Sequence, residues 1–160
     1  MSLIIEKKGN VIKKVINGKL YIYKDGKLIK EVKNMVLNIG LDHSIHRLVD
    51  DSYPKIEKLV VGDGTDTVEA TQTGITGNYV NSNDVTVVDV DTGIIWLVCD
   101  ITGGSGGETH KEAALYTDFS DFSTDSPIAY SRLLYPEEIQ VAENEIITYV
   151  WEIQIKREGE

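Results

Sequence analysis

The sequence predicts a mainly β protein, an antiparallel β-sandwich of jelly-roll-like type with one short helix and an N-terminal β-meander. Three observations carry that prediction. Short runs rich in Val, Ile, Tyr and Trp recur between turn signals through most of the 160 residues. The run Ile146–Ile155 alternates, with Ile147, Tyr149, Trp151, Ile153 and Ile155 on one face and mostly polar residues on the other, as a half-buried strand requires. Only one stretch, about 38–49, has helical spacing, with apolar residues at Leu41, Ile45, Leu48 and Val49. About nine strands and one helix fit two packed sheets.

Residues 1–33 read as a basic meander or arm, and 34–160 as the sandwich domain. Alternating runs up to Ile16, over 20–24 and over 28–32 are separated by Asn17-Gly18 and Asp25-Gly26. Both dipeptides tolerate positive φ, so two consecutive hairpins are expected. Asn38 is the expected helix N-cap, Asp42 belongs to the first turn, and Pro54 ends the segment. The helix stripe should be buried, sealing a sheet edge or barrel end, so that Ile45→Asp would abolish folding.

The run Ile56–Val61 reads as a buried strand ending in Gly62-Asp63-Gly64. Residues 62–84 hold four Gly, five Thr and three Asn and read as a long surface loop. The runs Val85–Val90 and Ile94–Ile101 flank the tight turn Asp91-Thr92-Gly93. The second is almost continuously apolar, which places it mid-sheet with Trp96 as a core anchor. A Gly-rich loop at 103–109 precedes candidate strands at Ala113–Thr117 and Ile128–Leu134. Glu143-Asn144-Glu145 then forms a polar turn before the last strand. Leu41, Ile45, Trp96 and Trp151 are the candidate core anchors. Tyr79, Tyr130 and Tyr135 are placed at margins where they would touch a ligand or partner.

Net charge is −10, unevenly divided. Residues 1–33 hold nine Lys against three acids, net +6; the remainder holds seven Lys and Arg against twenty-three acids, net −16. Lysines alternating with apolar residues describe a solvated strand face, so nucleic acid is not the expected partner. An arm docking on the acidic body of a neighbouring copy is the alternative, with Lys7, Lys8, Lys13, Lys14 and Tyr79 as candidate assembly contacts. No apolar run reaches the roughly 18 residues that cross a membrane. The start lacks a signal peptide's apolar core, which fits synthesis in a reducing cytosol.

The search for chemistry returns no catalytic, cofactor or metal residues. His43 and His46 are three apart on the helix and His110 is remote, too few for zinc. Gly62-x-Gly64 opens no helix and GGSGG has no Lys-Ser/Thr after it, so neither cradles a phosphate. Cys99, the one cysteine, lies in an apolar strand and reads as inert. The residues describe a non-enzymatic, acidic, β-rich domain.

Two stretches resemble small virion proteins of tailed bacteriophages. Lys33-Asn34-Met35-Val36-Leu37-Asn38-Ile39-Gly40-Leu41 followed by Val60-Val61-Gly62-Asp63-Gly64-Thr65 is similar to their "KNLVLNxGL … ixxGxGT" arrangement. Glu112-Ala113-Ala114-Leu115-Tyr116, then Ala129–Leu134 with Arg132, then Ile147–Ile153 with Trp151, is similar to their "E-x-G-L-f … a-R-x-x-f … i-x-W-x-i" ending. Ala114 where Gly is usual, Asp63, and the Lys-rich arm depart from the pattern. The resemblance implies a β-sandwich building block without catalysis, self-associating and docking on other virion proteins in the tail, baseplate or fibre region. A capsid decoration protein and a glycan- or receptor-binding module are the alternatives. It implies a virion location after synthesis in the host cytoplasm. Glu112 and Arg132, on successive strands, are the expected structural pair.

Overall fold

A computed structural model describes the backbone of residues 2–7 and 10–157 and the side chains of residues 18–155. Eleven strands and one helix are present among the described residues: β1 (Ser2–Lys7), β2 (Asn10–Lys24), β3 (Lys27–Lys33), β4 (Met35–Val36), α1 (Asn38–Arg47), β5 (Ile56–Gly62), β6 (Tyr79–Asp84), β7 (Thr86–Asp91), β8 (Ile94–Thr102), β9 (Glu108–Thr117), β10 (Ala129–Val141) and β11 (Ile146–Arg157). They form two antiparallel sheets packed as a sandwich. The first has the order β1-β2-β11-β8-β7, with β3 also paired to β2; the second has the order β4-β10-β9-β5-β6.

Period-two patterning builds the core from both sheets. Leu20 and Ile22 of β2, Leu97, Cys99 and Ile101 of β8, and Ile147, Tyr149 and Trp151 of β11 point inward from the first sheet. Leu59 and Val61 of β5, Ala113 and Leu115 of β9, and Leu133 and Tyr135 of β10 meet them from the second. Trp151 is fully buried at the centre. The expected alternation of β11 holds through Trp151 and then fades, because Ile155 is 48% exposed.

The N-terminal segment is part of the first sheet. β2 lies along β11 from Lys14 to Lys24, and β1 and β3 share its other edge end to end. The expected turn at Asn17-Gly18 does not form. Gly18 sits mid-strand opposite Ile153, where its carbonyl accepts a hydrogen bond from Asn34 N at 3.2 Å and a side chain would collide with Asn34. The glycine serves a close approach rather than a turn. Asp25-Gly26 does turn, with φ of 50° and 72°, as a two-residue hairpin requires.

Helix α1 corrects a second expectation. Ile45, Leu48 and Val49 are exposed, by 54%, 84% and 85%, so the apolar stripe is not the buried face. Gly40 and His43 are buried instead, and Leu41 reaches the core as a half-buried contact. The reason is Gly40, which brings the helix so close to Tyr130 of β10 that no side chain fits between them. That approach fixes the rotation of the helix and turns the stripe outward. Asn38 does not cap with its side chain; its N–H donates to Ala70 O at 2.8 Å, and the N-cap position is Leu37. Asp42 falls beyond the first turn.

Trp96 is likewise half-buried, on the outer face of the first sheet, where its Nε1–H donates to Glu152 at 3.1 Å. Tyr130 and Tyr135 are buried rather than marginal. Residues 79–84, expected as loop, are strand β6.

The second sheet is covered on its outer face too. Val60, Ala114, Tyr116 and Ala129 pack there against Leu37 and Phe119, with Ile75 and Phe122 alongside. Six consecutive residues of β9, Glu112 to Thr117, are therefore buried, as expected of a strand with both faces covered. The cover comes from Leu37 at the start of α1 and from the loops at 63–78 and 118–128.

Candidate functional site

Glu112 and Arg132 project from that outer face. Arg132 pairs in register with Ala114 and Leu134 with Glu112, so the two charged residues are diagonal neighbours on β9 and β10. Both side chains are fully buried, and Arg132 Nε donates to Glu112 Oε2 at 2.7 Å. Two such charges are tolerable in the interior only when each is fully hydrogen-bonded.

The loop at 63–78 supplies the remaining partners. Glu112 Oε1 accepts from Gly64 N and Gly77 N, each at 2.9 Å, and Oε2 accepts from Thr76 N at 3.1 Å. Arg132 donates to Gln72 Oε1 at 2.8 Å, Asp66 O at 3.0 Å and Thr76 Oγ1 at 3.1 Å. Gly62 lies opposite Glu112 in the β5–β9 register, and a Cβ there would stand 2.8 Å from Oε1. The Gly-x-Gly pair thus has a steric role: it opens room for a buried carboxylate and lets the backbone approach it.

Asp63, between the two glycines, closes the neck of the loop. It accepts from Asn78 N at 2.6 Å and Asn78 Nδ2 at 3.1 Å, and these bonds hold its carboxyl below the usual range. Ile75 N donates to the Tyr116 hydroxyl at 2.8 Å, and burial pushes that phenol up to about 12. Sequence reasoning named the Glu112–Arg132 pair but missed Asp66, Gln72, Thr76 and Gly77, which complete it. The recurring glycines of the loop were the available signal.

A second buried polar group links Glu108, His110 and Tyr149. His110 is fully buried, with Nε2 2.7 Å from Glu108 Oε1 and Nδ1 2.6 Å from the Tyr149 hydroxyl. Burial pushes His110 below its ordinary value, outweighing the pull of Glu108. Burial raises the Glu108 carboxyl, yet its bonds to His110, Asn81 and Gly104 N bring it below the usual range. In the neutral imidazole these contacts place the proton on Nε2, facing the carboxylate, with Nδ1 accepting from the Tyr149 hydroxyl. His43 is buried also, 2.7 Å through Nε2 from Pro54 O, and His46 stacks on Tyr53. His43 and His46 both pack against Tyr53, and no group of three His, Cys, Asp or Glu is placed to hold a metal among the described residues. Cys99 is buried, and burial pushes its thiol up to about 12.

Tyr79 is 43% exposed on β6 and stacks on Phe122 at 5.2 Å. With Lys58, Ser82, Phe119 and Ser123 it lines an open groove of about 520 Å³. Beside it the two sheets are stitched together: Asn81 and Asn83 of β6 donate to Thr102 O and Asp100 O of β8 at 3.0 and 2.9 Å. Beyond the stitch, β7 continues as an edge strand exposed at every residue. Lys7, Lys13 and Lys14 fall on β1 and β2 at the opposite side of that sheet, their side chains outside the described set, and Lys8 lies outside the described residues.

No family model, curated protein or solved structure matches the chain. The buried Glu112–Arg132 pair holds the loop after β5 against the second sheet.

Proposed function

We propose that this protein is a non-catalytic structural protein of a tailed-phage virion, acting as a homo-oligomeric building block in the tail, baseplate or fibre region. The observation that carries the reading is a convergence. The motif blocks that resemble phage virion proteins are scattered from residue 33 to 153, yet Gly62, Gly64, Glu112 and Arg132 meet at one buried clamp. Leu37, from one further block, packs with Ala129 in the adjoining apolar cluster. A clamp of this kind fixes surface loops on a rigid sandwich, the property a repeating building block needs. Its partners are other copies of itself and neighbouring virion proteins. Gold-labelled antibody against the chain, applied to purified phage particles, tests this: label on tails or baseplates is expected, label on heads moves it to capsid decoration, and unlabelled particles overturn it.

The open groove beside Tyr79 favours a second reading, a glycan- or receptor-binding module. An exposed aromatic ring with neighbouring serine hydroxyls is the surface to which a sugar ring stacks. A glycan array with the wild-type protein and Tyr79→Ala distinguishes it: binding lost in the variant supports the groove, and no binding removes this reading.

A further inference from the structure

The first sheet ends in two unlike edges. One is β7, Thr86–Asp91, whose outer side pairs with no strand among the described residues. Val87, Val88 and Val90 are exposed by 59%, 41% and 43%. With Asp89 and Asp91 the strand has a net charge of −2. The other edge is made end to end by β1 and β3; β3, Lys27–Lys33, is also unpaired on its outer side among the described residues. It carries three Lys and one Glu, net +2, with Leu28 and Ile29 exposed by 51% and 41%.

Exposed apolar edge strands are templates for pairing, and soluble proteins usually blunt them. Charge on an edge normally does so by repelling a second copy. Here the two edges carry opposite signs, so each repels its own kind and attracts the other. We propose that β3 of one copy pairs with β7 of the next, continuing the first sheet across a head-to-tail contact. Along the joined edges the exposed valines of β7 lie against Leu28 and Ile29, and the net −2 of β7 lies against the net +2 of β3. Such a contact is heterologous and generates a ring if the rotation closes or a filament if it does not. Like charges exclude the symmetric β7–β7 and β3–β3 alternatives. This deepens the proposed function by naming the partner and the surface, and it rests on the self-assembly part of that reading.

The test uses two charge-reversed variants of the full chain, Asp89→Lys/Asp91→Lys and Lys27→Glu/Lys33→Glu. All four positions are exposed. Sedimentation velocity at low salt is expected to show wild-type protein as multiples of its 17.8 kDa chain. Each variant alone should sediment as monomer, and a 1:1 mixture should regain the assembled mass, because the reversed edges match one another. Regained assembly also shows that both variants are folded. If both variants assemble like wild type, the edge pairing is wrong while self-assembly stands. If only the β7 variant is blocked, or the mixture stays monomeric, head-to-tail pairing of these edges is wrong. A wild-type chain that stays monomeric at every concentration overturns the pairing and the assembly reading together.

Discussion

Glu112 has four hydrogen-bond donors around one buried carboxylate, and only one of them is a cation. Removing it leaves the Arg132 guanidinium buried without a counter-charge. Glu112→Ala should therefore cost about 3–5 kcal/mol of folding stability, read from urea denaturation midpoints; a loss within the range of surface substitutions would show that water replaces the carboxylate. Arg132→Lys keeps the charge but cannot span acceptors as far apart as Gln72, Asp66 and Glu112, so it too destabilises. Trp151→Ala should cost about 3–5 kcal/mol as a large core deletion. Ile45→Asp, by contrast, should change stability by no more than about 0.5 kcal/mol, because Ile45 faces solvent. Collapse of that variant would show that the stripe is covered in the folded protein after all.

His110 gives a pH signature at the same scale. Its folded value lies below its ordinary one, so the unfolded chain takes up the proton first. Its stabilising contribution is complete above about pH 6.5 and is lost as pH falls from there toward the folded value. Glu108, also lowered, loses its contribution in a separate, more acidic window. Thermal melts from pH 7.5 to 5 should show declining stability in the wild type and a shallower decline in His110→Gln. Equal slopes would mean that His110 is accessible to protons in the folded state.

At the scale of elements, the loop at 63–78 behaves as part of the interior. Its neck is tied by Asp63 and Asn78, its crown by Arg132, and its Ala70 carbonyl receives the first N–H of helix α1. Gly64→Ala places a methyl against Glu112 and Gly77 N, and should loosen the loop and helix start together. Hydrogen exchange of the amides at 76, 77 and 38 would accelerate in the variant; unchanged protection would show that the clamp does not hold the helix. Strand β11 and the hairpins at Asp25-Gly26 and Thr92-Gly93 were legible in the sequence because local pattern and turn chemistry decide them. The rotation of α1 was not, since one backbone contact at Gly40 outweighed a well-spaced apolar stripe. Asn17-Gly18 misled for a similar reason: a residue that permits a turn also permits close packing, and long-range pairing with β11 chose the second. Strand β6 was hidden by its polar composition, because its asparagines pair with β8 backbone rather than with a core.

At the scale of the molecule, charge is distributed along the sandwich rather than gathered at a cleft. The lysine-rich strands lie at one side of the first sheet and the aspartate-bearing β7 at the other. The first sheet thus has two edges of unlike charge. Under the proposed edge pairing, higher ionic strength should weaken self-association, since attraction between exposed charges is screened over about 8 Å at physiological salt.

The central claim, that the chain is a self-assembling building block, is most directly tested by sedimentation equilibrium of the wild-type protein across a wide concentration range. The account predicts a mass that rises with concentration to multiples of 17.8 kDa. A single 17.8 kDa species at every concentration would contradict it.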